Sequence, residues 1–165
     1  MKRIATVLLV LILLAVTLSG CQKNAVSAAN STAQNSVNAE SFAKLDDSLA
    51  SAKEKSNALM TSLENDALTQ SDMNQKAQEL YELWESTLNY VLDEAKNILP
   101  DDEWVKLTDE QNTWLKEKEN AAKAAGKEFE GGSLYALTVS MESARITEER
   151  VDELYRVLIQ HHRPS

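Results

Sequence analysis

The residue with the clearest chemistry is Cys21, the only cysteine of the 165-residue chain. It closes the run Leu18-Ser19-Gly20-Cys21: an apolar residue, two small ones and a thiol. Small residues at 19 and 20 let extended backbone enter a peptidase site. The thiol is the nucleophile that becomes thioether-linked to diacylglycerol, so the run has the form of a bacterial lipobox. Ahead of it stand the cationic start Met1-Lys2-Arg3 and an apolar run from Ile4 to Leu18. A helix of that length spans about 22 Å, short of the ~30 Å hydrocarbon core, so the run reads as a secretory signal and not a permanent span. The expectation is an exported lipoprotein with residues 1–20 as signal peptide and Cys21 as the lipidated residue. Its acyl chains would hold it on the outer face of the cell membrane, or on the outer membrane where there are two.

No other grouping has catalytic spacing. His161-His162 is the only histidine pair; adjacent helical residues point about 100° apart, and the pair sits beside Arg163 near the chain end, as a solvated tail would. One cysteine excludes a disulfide scaffold or a cysteine-cluster metal site. Nucleophile elbow, phosphate loop and HExxH are all absent from the sequence. Asp101, Asp102 and Glu103 begin a helix, where negative charge meets the backbone dipole favourably. Trp84, Trp104 and Trp114 fall on apolar stripes and are expected in the core. The reading is a non-enzyme with no cofactor and no metal.

Two features remain. From Cys21 onward the chain has 26 acids against 15 bases, a net charge of −11. That excludes general nucleic-acid binding and creates a field attractive to cationic partners. The second is Gly126-Lys127-Glu128-Phe129-Glu130-Gly131-Gly132, an aromatic residue between two acids with glycines at both ends. Glu128, Phe129 and Glu130 are the candidate partner-binding residues, as a protruding recognition loop; the plainer reading folds Phe129 down over the end of the domain.

The elements that position these groups are helical. Residues 21–40 are rich in Asn, Ser and Ala and lack Pro, aromatics and a sustained apolar period, which predicts a flexible tether. Beyond them Gly and Pro occur only at Pro100, Gly126, Gly131, Gly132 and Pro164, too rarely for a strand-rich domain. Apolar residues recur at three and four. Phe42, Leu45, Leu49, Ala52, Leu59 and Leu63 mark an additional N-terminal helix over 41–70. A second stripe runs from Met73 through Trp84 to Ile98. A looser third uses Trp104, Leu107, Trp114 or Leu115, and Ala121 or Ala122. Leu134, Leu137, Met141, Ala144, Val151, Leu154 and Leu158 give a fourth, close to a heptad seam. Ser71 or Asp72 is expected to cap the second helix, Pro100 to divide second from third, Gly126 to close the third and Ser133 to cap the fourth. The fold expected is all-α, an antiparallel bundle of three to four long helices, with the continuity of the first two left open.

From Leu88 to Leu158 the sequence resembles the lysozyme-inhibitor LprI N-terminal-domain family of small exported helical domains. The resemblance is carried by Leu88-Asn89, by Leu107-x-x-x-Gln111-x-x-Trp114-Leu115, by Gly131-Gly132-Ser133 and by Thr147-x-x-Arg150-x-x-x-Leu154. Lys118 stands where that family usually has Arg. The family also commonly carries a cysteine at each of two places held here by Ala122 and Glu142, so its staple is absent. The resemblance assigns 71–163 to an LprI-like helical domain and implies binding to lysozyme, with which an acidic surface is compatible because animal lysozymes are strongly basic.

Two functions follow as expectations. One is a membrane-anchored extracytoplasmic lipoprotein that binds and inhibits lysozyme or another cationic cell-wall-lytic protein. The alternative is a structural or adaptor lipoprotein of the cell envelope acting through helix–helix contacts, for which the near-heptad fourth stripe offers a surplus apolar edge.

Overall fold

The computed structural model describes residues 23–162; the signal run and Cys21 lie outside the described residues. Helix α1 spans Lys23–Asn65, α2 Gln70–Ile98, α3 Asp101–Gly126 and α4 Leu134–His162, with a 3-10 turn at Lys127–Phe129 before α4. Among the described residues, those up to Glu40 form one unit and those from Ser41 onward a second, compact one. In the first, residues 23–40 carry helical backbone where a flexible tether was expected. No Gly or Pro interrupts the run from 22 to 40, and its alanines favour helix even without an apolar stripe.

The helix breaks have local chemical causes. Between α1 and α2 the chain leaves helix at 66–69, so the two are separate. The cap of α2 is Thr69 and not Ser71 or Asp72. The Thr69 hydroxyl accepts from Asp72 N–H at 3.2 Å, and the Asp72 carboxylate accepts from Thr69 N–H at 3.1 Å. This reciprocal box satisfies two backbone donors that the first helical turn leaves over. Farther along, Leu99 is extended, as the residue before a proline must be, and Pro100 opens α3 with Asp101, Asp102 and Glu103 in its first turn.

Side-chain links fix the directions of the helices within Ser41–Ser165. Asn74, Gln78 and Glu85 of α2 meet in order Ser133, just ahead of α4, and Ser140 and Thr147 within it, so these two helices run parallel. Glu103 at the start of α3 pairs with His161 at the end of α4, while Gly126 at the end of α3 lies against Tyr135 and Val139 near the start of α4. α3 is therefore antiparallel to α4. Ser56 of α1 accepts from the Trp84 indole at 3.3 Å and Asp46 accepts from Tyr155 at 2.5 Å, so α1 is antiparallel to both α2 and α4. Successive helices alternate in direction, as an antiparallel bundle requires.

The core lies where the stripes meet. Trp84, Val91, Ala95 and Val151 are fully buried, with Leu45, Leu154 and Leu158 nearly so; each such large side chain contributes roughly 1.5–3 kcal/mol on burial. Trp84 is core as expected, whereas Trp104 and Trp114 are half-buried and pack against it. The α4 seam faces inward through Ala144, Val151, Leu154 and Leu158. Leu134, expected on that seam, is 41% exposed. The apolar edge proposed for pairing between chains is thus largely consumed inside the bundle.

Candidate functional site

Three helices converge on a buried polar layer. Lys118 of α3 and Arg150 of α4 are each only 7% exposed. The Lys118 ammonium pairs with the Glu85 carboxylate of α2 and lies 3.3 Å from the Tyr81 hydroxyl. It also stands over the rings of Tyr81 and Trp114, 5.1 and 5.0 Å from their centroids. Thr147 is fully buried beside it. Its single proton serves the Ser143 carbonyl at 2.7 Å, with Glu85 a longer acceptor at 3.3 Å. One turn on, Arg150 donates Nε to the Gln111 carbonyl oxygen at 3.1 Å and Nη1 to Glu153 at 2.8 Å. Its Nη2 has no partner among the described residues. Buried charges persist only where they are paired and hydrogen-bonded, and this layer satisfies most of its members across α2, α3 and α4.

Gln111, Trp114, Thr147 and Arg150 are among the positions that carry the family resemblance, and Lys118 stands where that family usually has Arg. The structure brings them into one interlock inside the bundle, so their chemistry registers the helices against each other. At the two positions where that family carries cysteines, Ala122 is buried and Glu142 is held by Arg145 through a two-pronged contact at 2.7 and 2.9 Å. The pairing keeps the Glu142 carboxyl below its ordinary value despite some burial.

The candidate partner-binding residues sit at the end of the bundle. Glu128 and Phe129 belong to the 3-10 turn and Glu130 follows it. Glu128 and Glu130 are exposed and Phe129 is half-buried. Gly132 N–H donates to the Phe129 carbonyl at 2.9 Å, and Gly131 takes φ +80°, a turn that favours glycine. Among the described residues neither Glu128 nor Glu130 has an ion-pair partner. On the helix flanks carboxylates such as Glu119, Glu149 and Asp152 do have one. The turn shares its end of the bundle with the 66–69 connection, because Asn74 donates to the Ser133 carbonyl at 3.3 Å.

One of two end-of-helix expectations holds and one changes. Gly126 ends α3 as expected, in a right-handed conformation with φ −77°. It is needed for closeness: a Cβ there would lie 2.7 Å from Val139 Cγ2. His161, expected in a solvated tail, is partly covered and meets the Glu103 carboxylate at 2.8 Å. No group of three or more metal-ligating side chains occurs among the described residues, and no described helix is long and apolar enough to cross a membrane.

The family model described as lysozyme inhibitor LprI matches residues 62–154, which takes in both the buried polar layer and the 126–133 turn. No curated protein and no solved structure matches the chain.

Proposed function

This chain belongs to the lysozyme inhibitor LprI family, and from that membership we propose that it is an exported, lipid-anchored protein that binds lysozyme, or another cationic cell-wall-lytic enzyme, and inhibits it. The family is one of inhibitors and not of enzymes. It implies a protein partner met outside the cytoplasm, and the lipobox ending at Cys21 supplies the anchor.

The single observation that carries the contact is the turn at 128–130: two exposed carboxylates, without cation partners among the described residues, on either side of a half-buried aromatic ring. A cationic enzyme offers the opposite charge, and Phe129 offers apolar area that can be desolvated at the centre of a contact. The antiparallel threading supports this use. The compact unit begins at Ser41, and α1 runs about 36 Å from there to Asn65, at the end that carries the turn.

The test is the rate at which lysozyme clears a suspension of bacterial cell walls, with and without excess purified protein at modest salt. Slower clearing is expected, and unchanged clearing at micromolar protein removes the proposal. Phe129→Ala combined with Glu128→Gln is expected to weaken inhibition about tenfold or more while leaving helicity intact. Equal potency assigns the contact elsewhere on the surface.

A further inference from the structure

We infer that the seam between α1 and α2 is a binding groove for one ring of a neutral carbohydrate. A groove of about 190 Å³ opens there, with Ser48, Ser51 and Lys55 on the α1 wall, Ser86, Thr87 and Tyr90 on the α2 wall, and Ala52 and Leu83 completing the lining. Its size suits a single six-membered ring and falls below the roughly 300–1,000 Å³ of pockets that enclose drug-sized ligands.

The hydrogen-bonding inventory selects the ligand class. The Ser86 and Thr87 hydroxyls both give their proton to the Leu83 carbonyl, each at 2.8 Å. Toward a ligand their oxygens are therefore acceptors. Donors come from the Lys55 ammonium and the Tyr90 phenol, while Ser48 and Ser51 can turn either way. Burial, helped by the Glu94 carboxylate and opposed by Lys44, holds the Tyr90 phenol above its ordinary value, so it keeps its proton at neutral pH.

An anion meets two acceptor-only hydroxyls, and a cation finds no carboxylate in the lining. A vicinal diol both donates and accepts, and so matches both walls at once. Ala52 and Leu83 add apolar area to the lining, which suits the C–H face of a pyranose. This site shares no residue with the 128–130 turn, so its fate and that of the lysozyme contact are separable.

The experiment titrates the full chain, amide-labelled for NMR in a detergent without a sugar headgroup, with N-acetylglucosamine trimer and separately with inorganic phosphate. The trimer is expected to move the amides of 48–55 and 83–90 saturably, with half-saturation on the order of 1 mM; phosphate should leave them in place. Ser51→Leu and Ser86→Leu fill the groove from either wall and should each weaken the response at least tenfold with helicity unchanged. Where filling variants fold poorly, Lys55→Gln on the exposed rim and Tyr90→Phe remove one donor each and should each weaken it several-fold. Absence of saturation at about 20 mM trimer, shifts centred elsewhere, saturation of the same amides by phosphate, or full binding by the folded variants would overturn the assignment.

Discussion

Lys118 shows how a polar side chain can be worth keeping in an apolar stripe. Its ammonium is buried with Glu85, whose side chain is 31% exposed, so water offsets part of the desolvation on one side only. Replacing Lys118 by Met strands the carboxylate beside Thr147, and the expected loss is about 2 kcal/mol, below the 3–5 typical of a fully buried pair. Urea unfolding followed by circular dichroism measures it, and a cycle with Glu85→Leu should return a coupling of about 1 kcal/mol or more. Additive losses would mean that the two groups merely touch. Lys118→Arg, the residue the family usually carries, keeps both charge and donors and should cost far less. Gly126 works by the opposite logic, since nothing is the only side chain that fits. Gly126→Ala gains helix propensity of up to about 1 kcal/mol, but its Cβ meets Val139 at 2.7 Å and Tyr135 at 3.0 Å. The clash outweighs the gain, and a net loss of about 1 kcal/mol is expected in the same unfolding assay.

At the scale of elements, each helix is held by a different mixture of caps, seams and apolar faces. The start of α2 depends on the Thr69–Asp72 box, so Thr69→Ala should cost about 1 kcal/mol, read as a lower urea midpoint with unchanged slope. The seam between α1 and α4 contains a conflict. Burial raises the Glu148 carboxyl above its ordinary value, Asp152 and Glu149 push the same way, and Lys53 opposes. A carboxyl raised on folding favours the folded state below its ordinary range, and that advantage is lost as pH rises through the folded value. Glu148→Gln should therefore stabilise the protein at pH 7 by about 0.2–0.5 kcal/mol, the size of a like-charge pair one turn apart, with the gain vanishing near pH 4. How much of this was legible in the sequence follows from what each signal measures. Pro100 and the glycines near 131 mark breaks because backbone chemistry is local, and the apolar stripes found the four helices. Gln111 and Lys118 were missed as interior residues because a search for apolar residues steps over polar ones. Yet Leu107, Gln111, Trp114, Lys118 and Ala122 form one continuous face at spacings of three and four. Thr69-x-x-Asp72 carries capping-box spacing in the sequence itself. The contact of His161 with Glu103 depends on the antiparallel pairing of α3 with α4, which no short window of sequence contains.

For the whole molecule, the decisive quantity is a net charge of −11 from Cys21 onward. An excess of one sign does not drive the fold, but it acts at distances that no single contact reaches. On the flanks some of the acid is locally neutralised by Lys and Arg one turn away, as in Glu119–Lys123 and Glu142–Arg145–Glu149. Among the described residues Glu128 and Glu130 have no such compensation, so at this turn uncompensated charge stands beside the Phe129 ring proposed to hold the partner. Steering and holding then have separate signatures. Screening shortens the reach of the field to about 8 Å at physiological ionic strength, from about 30 Å at 0.01 M. Association with lysozyme, followed by surface plasmon resonance on the immobilised protein, should slow about tenfold or more across that range, while dissociation changes little. Phe129→Ala should do the reverse, leaving the association rate and its salt slope in place and speeding dissociation. If both perturbations act on association alone, the acidic coat attracts cationic proteins without a fitted contact, and inhibition would have to come from accumulation at the surface.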